Sequence, residues 1–245
     1  MFNLFTRAFA EEVAPEVSPA VEAVAEAEPG WFEAAFDVAW GWPVIIILLL
    51  GGIIAYVLLH KKSGKSFWTA RTMSVGAMCM ALASVLSLIK LWDMPFGGSV
   101  TPASMLPLLL FAYVYGTVPG LTLGALYGVM QFLLDGARFA ALGAIPNLLD
   151  YPIAFGLLGL AGLFNKAEND KLGLALGFFT GCFGRFLASF TSGVVFYAEW
   201  APEGMNPALY SICYNGAYML PECILCIAIG IFVAPRLVRE LRKVK

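Results

Sequence analysis

The sequence predicts an all-α integral membrane protein. Three observations carry that reading. Of 245 residues, 60% are hydrophobic and only 13% are charged. Mean hydropathy is +0.80. The apolar residues form long continuous runs rather than alternating ones. Soluble domains carry about a quarter charged residues, so this chain has too little polar surface to face water all round. In lipid every backbone polar group must be satisfied internally, which leaves helices or a closed barrel. Continuous runs select helices.

Several function classes drop out early. A net charge of −2 gives no nucleic-acid signal. The five cysteines, Cys79, Cys182, Cys213, Cys223 and Cys226, lie inside apolar runs, where loop disulfides are not expected. Cys223 and Cys226 form a C-x-x-C but lack the further ligands a metal site needs, so they are read as packing residues. The single histidine, His60, ends an apolar run beside Lys61 and Lys62 and reads as interfacial. No phosphate-binding loop, G-x-S-x-G or histidine-containing triad occurs. The expectation is a protein that is not an enzyme, with no cofactor and no metal. If ATP drives its work, the ATPase is another chain.

The elements follow in order. Residues 1–39 read as a disordered acidic tail, rich in Ala, Glu, Val and Pro between Glu11 and Gly30. No sizeable apolar segment follows the start, so a cleaved signal peptide fits poorly. Residues 40–71 read as an extra transmembrane helix, Val44–Leu59, entered through Trp40, Trp42 and Pro43, and then a basic cytoplasmic loop. Residues 72–235 form the membrane core, with spans expected at Thr72–Trp92, Pro102–Tyr115, Pro119–Leu134, Leu148–Phe164, Leu172–Tyr197 and Ala208–Val233. Several are near or below the ~20 residues a perpendicular helix needs. Residues 236–245 form a basic cytoplasmic tail. Lys61, Lys62, Lys65 and Arg71 fall on the side of Lys166, Lys171, Arg236, Arg239, Arg242, Lys243 and Lys245. The opposite loops hold Asp93, Asp135, Arg138, Glu199 and Glu203. The positive-inside rule then puts the C-terminus in the cytoplasm, and an odd number of spans puts the acidic tail outside. Without the Val44–Leu59 span, six remain and the tail stays inside.

Small residues recur at helical spacing. Gly120, Gly124 and Gly128 make one stripe, and Gly173, Gly177 and Gly181 a second; both are read as packing inside the chain. Ala77 and Ala81 make a third, the one stripe that suits a partner.

Ionisable groups at membrane depth are expensive and usually face a cavity or a partner. Lys90, beside Trp92, reads as snorkelling toward the interface. Arg185 reads first as an internal salt bridge or a helix-end residue. Asp150 and Tyr151 put a carboxylate and a ring together near the outer face. Between Ser189 and Asn215 lie Phe196, Tyr197, Trp200, Tyr210 and Tyr214. An interfacial aromatic belt explains part of that set; a cage for a flat cationic ligand explains the rest. Rings supply stacking and cation–π attraction worth ~2 kcal/mol when desolvated. An Asn edge both donates and accepts, and Asp150 adds the counter-charge. Gly97, Gly98 and Ser99, in the loop Met94–Thr101, are a candidate lid; a plain turn is the alternative.

These stretches together resemble the thiamine-specific S component of energy-coupling factor (ECF) transporters, from about Thr72 to Val233. The resemblance rests on Gly184-Arg185-Phe186, Ser192-Gly193-Val194, Ala201 to Pro207, Tyr210-Ser211 and Tyr214-Asn215-Gly216. Met94-Pro95, Gly97 to Thr101 and Leu148 to Pro152 add to it. It implies a six-helix S-component core, here preceded by one extra N-terminal transmembrane helix. It implies a thiamine pocket near the outer face, at Asp150, Tyr151, Ser189, Gly193, Tyr197, Tyr210 and Asn215, closed by the first long loop. It also implies that Ala77 and Ala81 contact a transmembrane coupling subunit, which works with two ATP-binding subunits. Two positions depart from the family pattern: Ser189 stands where His is usual, and Tyr197 where Trp is usual. On π face alone, Tyr197→Trp is expected to preserve or tighten binding.

The leading expectation is a binding subunit that captures thiamine at the outer face of the cell membrane and delivers it inward. The alternatives are a thiamine precursor or analogue as ligand, which the two departures favour, and a structural membrane protein that binds no solute. The partners are thiamine or a close relative, the coupling and ATP-binding subunits, and membrane lipid.

Overall fold

Every long apolar run after Trp68 becomes a helix in the computed structural model, which describes residues 68–94, 97–134, 143–167, 170–202 and 204–243. The tail 1–39, the extra span Val44–Leu59 and the lysines of the basic loop lie outside the described residues. Six helical segments follow: α1 (Ala70–Ser87), α2 (Leu106–Tyr115), α3 (Thr117–Leu134), α4 (Ala144–Phe164), α5 (Asp170–Phe196) and α6 (Pro207–Lys243). Five of them are long and apolar enough to cross a membrane; α2, with 10 residues, is shorter.

The ends of the helices correct several expected boundaries. Thr69 caps α1, its hydroxyl accepting from the Thr72 amide at 3.2 Å, so Arg71 belongs to the helix rather than to a loop. α1 stops at Ser87, and Trp92, expected inside a helix, is in a strand. Trp92–Asp93 pairs antiparallel with Ser99–Val100, so a small hairpin interrupts the all-helical plan. Gly97 (φ 91°) and Gly98 (φ 80°) supply the left-handed backbone that turn requires. Lys90 does not simply snorkel, since its Nζ lies 3.5 Å from the Asp93 carboxylate. α6 runs 37 residues, past the expected end at Val233 and through much of the basic tail. At 1.5 Å per residue that is roughly 55 Å, well beyond a bilayer core of about 30 Å.

α2 is apolar on all sides and sits in the middle, as such helices do. Leu109, Phe111, Ala112 and Tyr113 are fully buried. The glycine stripes are internal packing, as expected. A Cβ on Gly120, Gly124 or Gly128 would meet backbone atoms of α2 or α4 at 3.0 Å or less. One on Gly177 or Gly181 would meet the Ala161 or Leu158 carbonyl oxygen of α4 at 2.8 Å. Glycine at these places lets backbones touch, where dispersion contacts accumulate. Cys182, Cys223 and Cys226 are free thiols in the core. Ala77 and Ala81 are exposed on the outer face of α1, among the exposed side chains of Met73, Met78, Leu82 and Val85.

Candidate solute-binding site

α4 is not a regular helix where the site lies. Pro152 lacks an amide hydrogen and its ring crowds the carbonyl four residues earlier. The backbone answers with a π-helical turn over Leu149–Ile153. Such turns widen a helix locally and recur at functional sites. Here the turn presents Asp150 and Tyr151 to a cavity of about 150 Å³.

α5 and α6 supply the facing wall. A Cβ on Gly193 would lie 2.3 Å from Ser211 Oγ and 3.1 Å from Ser211 Cβ, so any larger residue there would have to displace the Ser211 hydroxyl. Ser189, Ser192, Gly193 and Tyr197 share one face of α5 and its end, at spacings of three and four. Tyr210, Tyr214, Tyr218 and Glu222 recur every fourth residue on α6, with Ser211 and Asn215 beside them. Adjacent rings lean on one another: Tyr210 and Tyr214 have centroids 5.8 Å apart, and Tyr214 and Tyr218 6.2 Å apart. On the α4 side Tyr151 meets Phe132 of α3 edge-to-face at 5.4 Å.

All seven predicted binding residues, Asp150, Tyr151, Ser189, Gly193, Tyr197, Tyr210 and Asn215, line this one cavity. Gly97, Gly98 and Ser99 line it too. The Tyr214 hydroxyl donates to the Gly97 carbonyl at 2.7 Å. A Cβ on Gly98 would meet the Tyr218 ring at 2.7 Å. The loop is thus held against α6.

Asp150 accepts a hydrogen bond from Ser192, whose Oγ donates to its Oδ2 at 2.8 Å, and the Ser189 and Tyr197 hydroxyls belong to residues that line the same cavity. Burial raises the Tyr197 phenol above its ordinary range, so it stays neutral. Arg185 lines the same cavity as Asp150, with its guanidinium 4.1 Å from the Phe155 ring centroid. It is neither at a helix end nor in a direct ion pair among the described residues. The Asn215 amide is less open than its residue type suggests. Its Nδ2 donates to the Ser211 carbonyl at 3.0 Å and to Ser211 Oγ at 3.2 Å, and its Oδ1 accepts from the Tyr218 hydroxyl at 2.9 Å. One lone pair of Oδ1 is left for a ligand.

The sequence reading gave no binding role to Ser192, which bonds to Asp150, or to Tyr218 and Glu222, which line the cavity. The four-residue recurrence from Tyr210 to Glu222 was the signal that could have found the α6 members. Ser192 is ordinary in type and is marked only by its distance from Asp150.

A bundle of helices apolar enough to cross a membrane, enclosing a polar and aromatic cavity between them, defines a multi-pass membrane protein with a solute site. The chain belongs to the thiamine transporter protein (Thia_YuaJ) family, whose model matches residues 73–241. It is 34% identical over 179 residues to the thiamine transporter ThiT of Bacillus subtilis (strain 168), covering 67% of this chain and 92% of that one. It is 35% identical over 147 residues to the ThiT of Lacticaseibacillus paracasei, covering 54% and 73%. A solved structure of ThiT from Listeria monocytogenes superposes with a TM-score of 0.59 at 25% identity, over 68% of this chain and 96% of that chain. The match includes every cavity residue named above and leaves out the first 72 residues.

Proposed function

We propose that this chain is the thiamine-binding subunit of an ECF-type importer. It captures thiamine at the outer face and delivers it inward when joined to a transmembrane coupling subunit and two ATP-binding subunits. The observation that carries the reading is the Asp150 carboxylate, set in a cavity walled by Tyr151, Tyr197 and Tyr210, in a chain of the thiamine transporter family. Thiamine has a permanent thiazolium charge and a flat aminopyrimidine. A carboxylate offsets the charge, ring faces stack on the planes, and the Asn215 and serine groups supply a hydrogen-bonding edge. The apolar outer flanks face lipid, the C-terminus is cytoplasmic, and the exposed Ala77 and Ala81 receive the coupling subunit. The chain itself carries out no catalysis.

The second reading keeps the site and changes the ligand. Ser189 and Tyr197 give this cavity more hydroxyls than the family pattern, which suits a more polar fragment or precursor of thiamine. Displacement of labelled thiamine from the purified protein separates the two readings. Thiamine should displace far better than its separate pyrimidine or thiazole halves. Stronger displacement by one half would move the assignment to a precursor.

A further inference from the structure

Glu222 is the least expected group in the cavity. It sits on α6, 2% exposed, at the depth of a membrane-spanning helix. A carboxylate there is expensive to bury and is kept only where something compensates it. Half of that compensation is visible. Its Oε1 accepts from the Thr101 hydroxyl and, at 2.8 Å, from the Ser104 hydroxyl. Both donors flank Ala103, which takes a left-handed backbone (φ 62°) that non-glycine residues rarely adopt. Its Oε2 accepts no hydrogen bond among the described residues, although Glu222 lines the cavity.

The charge balance points the same way. The charged residues lining the cavity are Asp150, Arg185 and Glu222. Taken as ionised groups they sum to −1, so one ligand cation brings the cavity to neutrality. With Asp150 alone against Arg185, the cavity would already be neutral and would have little reason to prefer a cation.

We propose that Glu222 is a second ligand-facing counter-charge, and that the Glu222–Asp150 pair, working against Arg185, sets the preference for a singly charged cation over a neutral molecule of the same shape. This rests on the thiamine reading of the cavity. Thr101 and Ser104 hold the carboxylate in place through Oε1 and leave Oε2 for the ligand side. The role belongs to charge rather than to packing, so it predicts a change in selectivity and not merely in affinity.

The test compares thiamine with its neutral carbon isostere, in which the thiazolium nitrogen is replaced by carbon. Calorimetry on the full chain measures both ligands for wild type, Glu222→Gln and Glu222→Asp, with melting curves to establish that each variant is folded. Wild type should prefer thiamine. Glu222→Gln should lower that preference by about tenfold or more, mainly by weakening thiamine. Glu222→Asp, which keeps the charge, should retain most of it. Should Glu222→Gln fail to fold, Glu222→Met, which buries no polar group, takes its place with the same expected loss. Equal weakening of both ligands in the uncharged variant, an unchanged preference, or an equal loss in Glu222→Asp would reduce Glu222 to a strut for the Thr101–Ser104 segment. Wild type that binds neither ligand would overturn the thiamine reading itself, and this proposal with it.

Discussion

Asp150 receives the Ser192 hydroxyl at 2.8 Å and still faces the cavity, because the π-turn around Pro152 brings it out of the regular helix path. A carboxylate at that place in the cavity wall can offset the charge of a bound cation. Asp150→Asn should therefore weaken thiamine binding by roughly 1.5–3 kcal/mol, one to two decades in affinity, with a much smaller effect on melting temperature. Tyr197 is a more instructive case. From the sequence it is a ring, and Trp in its place should stack as well or better. The structure adds a hydroxyl that shares the cavity with the Asp150 carboxylate. Tyr197→Phe, which removes only that hydroxyl, should cost about 1 kcal/mol of binding. Tyr197→Trp should then fail to exceed wild type, because its larger face is set against the lost hydroxyl; calorimetry on the two variants checks both statements. Single residues of this kind were legible in type but not in partner. Asp150, Tyr210 and Asn215 could be named from the sequence. That Asn215 spends its amide on Ser211 and Tyr218 depends on the Gly193–Ser211 approach, which no one-dimensional pattern displays.

At the scale of elements, periodicity located helices well and their ends poorly. α3 and α5 lie within two residues of expectation, since Gly116 and the Phe196–Tyr197 break stop them where the apolar runs stop. The first span missed its end because Trp92 looks equally apolar in a helix and in a hairpin; the deciding contacts are its pairing with Val100. The π-turn was not foreseen, although Pro152 marked the place. The glycine stripe of α3 was read correctly, and it yields a sharp expectation. A Cβ on Gly128 would lie 2.4 Å from the Tyr151 carbonyl oxygen and 2.7 Å from Pro152 Cα, both backbone atoms that cannot swing aside. Gly128→Ala should thus push α3 from the π-turn, destabilise the protein by ~1–3 kcal/mol and weaken ligand binding together, as thermal melting and titration would register. The exposed stripe of α1 makes the opposite prediction. Ala77→Trp or Ala81→Trp adds volume to an outward face, so solute binding should be nearly unchanged while assembly with a coupling subunit and uptake fall. If Ala77→Trp abolished binding and left the assembly intact, the stripe would not be a partner surface.

For the whole molecule, the distribution of Lys and Arg sets an orientation. Lys166, Lys171, Arg236 and Arg239 fall at one end of the bundle, and Asp93 and Glu199 at the other, beside the hairpin and the start of α6. The positive-inside rule then predicts a cytoplasmic C-terminus and a cavity near the outer face. In a background without the five native cysteines, a cysteine placed near Lys243 should resist an impermeant reagent in intact cells, and one near Glu199 should react. The opposite pattern would reverse the orientation. The general architecture was legible because composition and apolar periodicity alone force helices in lipid. The convergence of α4, α5, α6 and the 97–104 segment on one cavity was not, because it depends on how the glycine stripes set the distance between helices. Thiamine binding in this cavity, through Asp150 and its aromatic walls, is what everything above depends on. Calorimetric titration of the purified full chain with thiamine, run side by side on wild type, Asp150→Asn and Tyr197→Ala, tests it most directly. Wild type should bind saturably and one to one, Asp150→Asn should lose about one to two decades of affinity, and Tyr197→Ala should lose ~1–2 kcal/mol. Wild type without saturable heat, or affinity unchanged in both variants, would contradict it and leave the rings as an interfacial belt.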